Sequence, residues 1–197
     1  MSVKTIGILL FENVEELDAV GPWEVLAYWT LNHPEDGYEV RMLAESLEPV
    51  TCAKGLRVLP HLTRDEAPPL EVLIYPGGQG TRPRLADPAE LDWVRAQRRT
   101  VPIMASVCTG SLVYAAAGLL AGRPATTHWG SLELLGELDA SIEVRPDDRF
   151  VDDGDVVTSS GVSAGIDMAL HLVDRLAGRE RAVEVRRGIQ YDPQPPV

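Results

Sequence analysis

The sequence predicts an α/β protein built on a doubly wound, mostly parallel sheet with helices on both faces. Apolar runs of strand length, such as residues 5–11 and 70–75, recur along the chain, and a run that is apolar throughout is typical of a parallel strand covered on both faces. Segments with apolar residues at helical spacing separate these runs. Strands that alternate with helices in this way predict a parallel sheet, with ligands bound at the carboxyl ends of the strands.

The first half of the chain predicts three strands and two helices. Residues 5–11 form the first strand, acidic residues 12–18 follow it, and Gly21-Pro22 opens the first helix, since proline is tolerated in a first turn. The strand at 70–75 ends abruptly at Pro76-Gly77-Gly78. The other elements predicted in this half are a strand at 38–44, a short extended piece at 56–60 and a helix at 88–99.

The second half continues the alternation and adds a small β-hairpin near residues 142–160. Its strands are predicted at 142–145 and 150–159, with the acidic turn 152–155 as the tip. This turn lacks the later Glu of an EF-hand loop, so it is predicted to be solvated rather than to bind calcium. The tail from Tyr191 is predicted to be non-helical. The other predicted elements are a strand at 101–107 followed by a helix, a brief strand after Gly122, and helices at 131–138, 163–176 and 179–187.

The length and composition indicate a single soluble domain spanning residues 1–197. A chain of 197 residues, 45% hydrophobic and 24% charged, has ordinary globular values. Its apolar runs are much shorter than the roughly 20 residues of a membrane span, and the N-terminus does not resemble a secretory signal. Two cysteines are too few for a disulfide framework, so we expect a cytoplasmic protein. The net charge of −12 argues against a nucleic-acid partner.

Cys108 lies where the period of the sequence changes from strand to helix. The run before it is apolar, and Leu112, Val113 and Ala116 recur at helical spacing after it. The N–H groups of a helix's first turn favour a thiolate, the nucleophilic form of cysteine. Gly110 allows a sharp turn there. This nucleophile-elbow pattern favours a reactive cysteine, although free cysteines are often buried for structural reasons.

Three segments are predicted to end at the same edge of the sheet, namely residues 11–18, 76–80 and 108–111. The backbone N–H groups of Gly77, Gly78 and Thr109 could therefore bind negative charge that develops on a substrate. Alternatively, Pro-Gly-Gly only turns the chain. Thr109 brings a hydroxyl next to Cys108 but no imidazole, which weakens a protease interpretation.

Further candidate site residues lie away from the cysteine in sequence. Asp18 could be a proton donor and acceptor beside the thiol, where burial and a thiolate would raise its pKa; alternatively it caps the helix predicted at Pro22 or faces water. His128 could be brought near Cys108 by the fold or be a structural histidine. Trp129, next to it, is a candidate for substrate binding. Cys52 has no neighbouring base and no predicted role.

Five motifs are spread over the chain from about Ile6 to Tyr191. They are Leu17-Asp18-Ala19-Val20-Gly21-Pro22, Tyr75-Pro76-Gly77-Gly78, Ser106-Val107-Cys108-Thr109-Gly110-Ser111, Ala125-Thr126-Thr127-His128-Trp129 and Ser160-Gly161-Val162-Ser163-Ala164-Gly165-Ile166-Asp167. Together they resemble the isonitrile hydratase branch of the ThiJ/PfpI superfamily. The cysteine turn and Pro-Gly-Gly are shared across that superfamily, and the other motifs narrow the resemblance to the branch.

The resemblance implies a flavodoxin-like, class I glutamine amidotransferase-like fold and a homodimer. It implies Cys108 as the nucleophile, with Asp18 and Thr109 as its partners. Proteases of the superfamily have a histidine directly after the cysteine, so Thr109 disfavours peptidase activity. AraC-type regulators related to this branch carry a further DNA-binding domain, so a chain ending at Val197 is expected to be a stand-alone enzyme.

The activity implied by the resemblance is the hydration of a small-molecule isonitrile, R–N≡C, to the N-substituted formamide. The hypothesis is that the Cys108 thiolate attacks the isonitrile carbon while Asp18 protonates it, giving a thioimidate that Asp18-activated water hydrolyses. Thr109 orients the carboxyl or the water, and no metal or organic cofactor is required. The alternatives are glyoxalase or deglycase chemistry, and a non-enzymatic redox-sensing or ligand-binding domain.

Overall fold

A computed structural model describes residues 3–194 of the chain and confirms the predicted fold class. The strands are β1 (Lys4–Leu9), β2 (Tyr38–Ala44), β3 (Val50–Thr51), β4 (Arg57–Val58), β5 (Leu62–Thr63), β6 (Leu70–Tyr75), β7 (Ile103–Val107), β8 (Pro124–Ala125), β9 (Glu143–Val144), β10 (Phe150–Asp152) and β11 (Val156–Ser159). The helices are α1 (Glu16–Asn32), α2 (Thr81–Arg84), α3 (Pro88–Arg98), α4 (Gly110–Ala116), α5 (Leu132–Leu138), α6 (Ala164–Ala177) and α7 (Arg179–Gly188), with 3-10 turns at Pro34–Asp36 and Trp129–Ser131.

The main sheet has seven strands in the order β10-β11-β7-β6-β1-β2-β5. All neighbouring strands in it are parallel except the β10/β11 pair, which is an antiparallel hairpin. The chain builds outward from β1 to β2 and β5, then returns to place β6 on the other side of β1. The direction of winding therefore reverses between β1 and β6, and the crevice at the carboxyl ends of these strands is where open α/β sheets bind ligands.

The hydrophobic core lies against the central strands. Side chains such as Ile8, Leu73 and Met104 are completely buried, and each contributes about 1.5–3 kcal/mol relative to an exposed position. The helices form two groups: α1 packs against α6 and α7, and α4 packs against α2, α3 and α5. This division is expected of a doubly wound sheet covered on both faces.

The first helix begins earlier than the sequence predicts. It begins at Glu16, so Pro22 lies inside α1 rather than in its first turn. A proline inside a helix removes a backbone hydrogen bond, but the Gly21-Pro22 step fits closely against α6. A Cβ on Gly21 would lie 3.0 Å from Ile166 Cγ1, and one on Gly165 would lie 3.3 Å from Pro22 Cγ. Tertiary packing thus overrides the local preference for proline at a helix start.

The predicted hairpin is confirmed for β10 and β11, with Phe150 opposite Ser159. The strand predicted at 142–145 is not part of it, because Glu143–Val144 pairs in parallel with Pro124–Ala125 in a separate two-stranded sheet. The acidic turn is also not merely solvated: Asp153 and Asp155 accept hydrogen bonds from Arg123 at 3.0 and 2.6 Å. Strand periodicity does not identify the partner of a strand, which explains the error.

Residues 191–194 are non-helical, as predicted, and the rest of the predicted tail lies outside the described residues. Between residues 3 and 194, none of the helices has the length and apolar character needed to span a membrane.

Candidate active site

The candidate site lies at the carboxyl ends of β1, β6 and β7, in the crevice where the winding reverses. The three segments that the sequence predicts at one edge do meet there. The Gly77 N–H donates to Asp18 Oδ2 at 2.9 Å, and the Gly78 N–H donates to Thr109 Oγ1 at 3.0 Å. The loop after β6 thus connects the loop after β1 to the cysteine turn.

Cys108 occupies a strained turn between β7 and α4. Its φ is +55°, in the left-handed region that non-glycine residues adopt at a cost of about 1–3 kcal/mol. The Cys108 N–H donates to the carbonyls of Ser159 and Ser160 at 3.1 and 3.2 Å, which stabilises the turn. Gly110 is required because a Cβ there would lie 2.1 Å from the Tyr75 carbonyl oxygen. This is the geometry of a nucleophile elbow.

Asp18 lies in the first turn of α1 and is completely buried. Both alternatives open from the sequence, a cap of a helix at Pro22 and a solvent-facing carboxylate, are therefore wrong. Oδ2 accepts the Gly77 N–H, whereas Oδ1 is buried and has no hydrogen-bond partner within residues 3–194. Burial raises the Asp18 pKa to about 7 with help from the charge of Glu15; the Gly77 N–H opposes the rise. A carboxyl with this pKa can donate and accept protons near neutral pH.

The Cys108 thiol lies close enough to the Asp18 carboxyl for each group to shift the pKa of the other. Burial and the Asp18 charge raise the thiol pKa to about 12, although the N–H groups of Thr109 and Val162 favour the thiolate. The N–H groups at the helix start thus favour the thiolate, as predicted, but desolvation of the sulfur outweighs them in the resting protein. As pH rises, the first proton that this pair loses comes from Asp18.

The amides of Gly77 and Gly78 are not free to bind substrate, contrary to the prediction. They donate to Asp18 and Thr109, respectively, and so hold those side chains in position. A side chain on Gly77 is excluded because a Cβ would lie 2.5 Å from the Thr109 nitrogen. Of the three amides predicted to meet developing charge, only that of Thr109 faces the Cys108 sulfur.

Two residues near Cys108 are not singled out by the sequence. Val162 has a φ of +40°, which is strained for a β-branched residue, and its N–H faces the Cys108 sulfur. Thr127 Oγ1 donates to the Cys108 carbonyl at 2.9 Å. Both belong to motifs that carry the family resemblance, but no local pattern shows that segments so far along the chain surround the cysteine.

His128 and Trp129 lie beside a cavity of about 360 Å³ whose wall includes Thr127 and Val162. His128 Nδ1 accepts the Gly130 N–H at 3.1 Å, so a neutral ring carries its proton on Nε2. Trp129 is 78% exposed, and its ring lies 5.4 Å from that of His128. Among residues 3–194, neither His128 nor Trp129 forms a side-chain hydrogen bond to Cys108. The structure thus brings both residues to the cavity that borders the Val162 side of the site.

Over residues 3–194, the structure contains no cluster of three or more His, Cys, Asp or Glu side chains arranged to hold a metal ion.

Comparison with known proteins identifies the family to which this architecture belongs. Residues 4–175 match the DJ-1/PfpI family. The chain belongs to the DJ-1/PfpI family. This DJ-1/PfpI protein is 44% identical over 191 residues to the isonitrile hydratase of Pseudomonas putida, an alignment that covers 97% of this chain and 80% of the hydratase. The branch suggested by the five motifs is thus the one that contains this relative.

Two further relatives show how the fold is used. A ThiJ/PfpI family protein from Pseudomonas syringae superposes with a TM-score of 0.88 at 32% identity, covering 100% of this chain and 78% of that protein. The HTH-type transcriptional regulator GbdR of Pseudomonas aeruginosa is 31% identical over 96% of this chain, but the alignment spans only 51% of the regulator. The DJ-1/PfpI domain therefore occurs both as most of a protein and as about half of a longer one.

Proposed function

We propose that this DJ-1/PfpI protein is an isonitrile hydratase that converts R–N≡C and water into the N-substituted formamide. The observation that carries the proposal is the buried pair of the Cys108 thiol and the Asp18 carboxyl. The 44% identity to the Pseudomonas putida isonitrile hydratase supports the choice of substrate class. A small-molecule substrate reaches this pair in the crevice between β1 and β6.

In the first chemical step, the sulfur and the proton of the Cys108 thiol both add to the isonitrile carbon. Ionised Asp18 takes the Cys108 proton, the sulfur bonds to the carbon, and Asp18 delivers the proton to the same carbon. The product is a thioimidate, R–N=CH–S–Cys108, and Asp18 is ionised again. A raised thiol pKa makes a neighbouring base necessary, which is the role we assign to Asp18. The Thr109 and Val162 amides stabilise the charge that develops on sulfur.

The second step hydrolyses the thioimidate. Asp18 takes a proton from water as the oxygen bonds to the carbon and passes that proton to the nitrogen, giving R–NH–CH(OH)–S–Cys108 and an ionised Asp18. The carbon–sulfur bond then breaks, the hydroxyl proton returns to sulfur through Asp18, and R–NH–CHO leaves. Thr109, held by the Gly78 N–H, orients the water. This route uses no metal or organic cofactor.

The test is the conversion of cyclohexyl isocyanide by the purified protein. We expect N-cyclohexylformamide to form in multiple turnovers, measured by gas chromatography with mass spectrometry. Methylglyoxal provides the comparison: its consumption without formamide formation would favour glyoxalase or deglycase chemistry. If neither substrate turns over and peroxide adds two oxygen atoms to Cys108, the redox-sensing alternative replaces the hydratase.

The proposal also places the protein in the cytoplasm as a homodimer. The family resemblance supports the dimer, and the free thiols of Cys52 and Cys108 are suited to a reducing compartment. Size-exclusion chromatography with light scattering is expected to give twice the 21.5 kDa mass of one chain. A mass of one chain at micromolar concentration would contradict the dimer.

A further inference from the structure

Thr81, the first residue of α2, lies directly behind Thr109. It is completely buried, and its hydroxyl is 2.8 Å from the Gly78 carbonyl oxygen and 3.2 Å from Thr109 Oγ1. Thr109 Oγ1 in turn accepts the Gly78 N–H at 3.0 Å. Thr81, Gly78 and Thr109 thus form a closed group of hydrogen-bonding partners beside the nucleophile.

The donors and acceptors in this group determine where each proton points. A carbonyl oxygen only accepts, so the short contact to Gly78 O takes the single hydroxyl proton of Thr81. The Thr81 N–H also donates to Gly78 O at 3.2 Å, which occupies both lone pairs of that oxygen. Thr109 Oγ1 also lies 3.3 Å from Gly78 O, but this contact is longer than the two that the oxygen already accepts from Thr81. The Thr109 proton is therefore directed to Thr81 Oγ1 at 3.2 Å. Thr109 Oγ1 has two lone pairs, and one of them accepts the Gly78 N–H. The second lone pair is available to a ligand.

We propose that Thr81 is a positioning residue that directs the Thr109 hydroxyl proton into the protein, so that Thr109 presents an acceptor lone pair to the hydrating water. This inference rests on the proposed isonitrile hydratase function. The water donates one hydrogen to Thr109 and the other to ionised Asp18, and its free lone pair faces the thioimidate carbon. Its proton then passes to Asp18 as the carbon–oxygen bond forms.

Removal of the Thr81 hydroxyl is expected to slow hydrolysis of the thioimidate but not its formation. Without the Thr81 oxygen, the Thr109 hydroxyl keeps only the longer 3.3 Å contact to Gly78 O, so its proton is held less firmly and turns toward the water. The water then meets a donor where it needs an acceptor. When only the second step of a two-step covalent reaction is slowed, kcat and KM fall together and kcat/KM is conserved. A destabilised fold would not give this pattern.

The experiment compares Thr81→Val, Thr81→Ala and Thr81→Ser in steady-state kinetics on cyclohexyl isocyanide. For the first two variants we expect kcat and KM each to fall about tenfold, with kcat/KM within about threefold of wild type. Intact-protein mass spectrometry should show the thioimidate accumulating on Cys108. Thr81→Ser, which restores a hydroxyl, should recover wild-type kinetics. Thr81→Ala keeps the test open if Thr81→Val does not fold.

The control is Thr5→Val, which removes another buried threonine hydroxyl, one bonded to Glu39 near the amino end of β1, whereas the site lies at the carboxyl end. It should leave kcat and KM unchanged. Wild-type kcat in both Thr81→Val and Thr81→Ala, or a fall in kcat/KM without thioimidate accumulation, would overturn the role of Thr81 while leaving the hydratase function intact. Absence of turnover in the wild-type protein would overturn both.

Discussion

Cys108→Ala should reduce kcat for isonitrile hydration by a factor of at least about 10³, because the covalent route has no other nucleophile in the site. The sulfur is placed by a turn with a positive φ and is faced by two N–H groups and the Asp18 carboxyl. A methyl group at this position retains the turn but forms no bond to the isonitrile carbon. The measurement is kcat for formamide production, together with the absence of a mass adduct on the variant.

Cys52→Ala is the matched control for this substitution. Cys52 is also buried and free, and burial raises its pKa to about 11. It has no place in the proposed mechanism, so the variant should retain wild-type turnover. Equal activity in Cys108→Ala and wild type would refute the covalent mechanism, whatever the identity of the substrate.

Asp18→Asn should reduce kcat/KM by about 10² to 10⁴, the usual contribution of a positioned acid/base group. In the wild-type protein, Asp18 must be ionised to take the thiol proton, and its pKa is raised to about 7. The wild-type kcat/KM is therefore expected to increase about tenfold per pH unit up to about pH 7 and then to level off. The residual activity of Asp18→Asn should lack this acidic limb. Equal pH profiles for the two proteins would show that another group is the base.

Thermal unfolding separates this chemical effect from a folding defect. Because burial raises the Asp18 pKa from 3.8 to about 7, the folded state resists ionisation of a carboxyl that ionises freely when unfolded. The wild-type protein should lose stability as pH rises from about 4 to about 7, on the order of 4 kcal/mol from this group. Asparagine does not ionise, so Asp18→Asn should melt at a higher temperature than wild type at about pH 8. A lower melting temperature there would indicate that its inactivity reflects misfolding.

The structure assigns different protonation behaviour to the Cys108 thiol and the Asp18 carboxyl, which their residue types alone do not predict. A cysteine at a helix start is usually expected to be activated by its own environment. Here burial opposes the thiolate, and the group that titrates near neutral pH is the carboxyl. The buried Oδ1 of Asp18, which has no partner in the described part of the chain, leaves an acceptor available for the proton in transit.

The sequence by itself determined the fold class and the meeting of Asp18, the Gly77-Gly78 loop and Cys108 at one edge of the sheet. These features follow from local periodicity and from the rule that parallel strands share a carboxyl edge. Only the tertiary structure decided that α1 begins at Glu16, that the Gly77 and Gly78 amides are already occupied, and that Val162 and Thr81 complete the site. The physical reason is that burial, hydrogen-bond occupancy and strand partnership depend on residues distant in the chain, which a local pattern does not report.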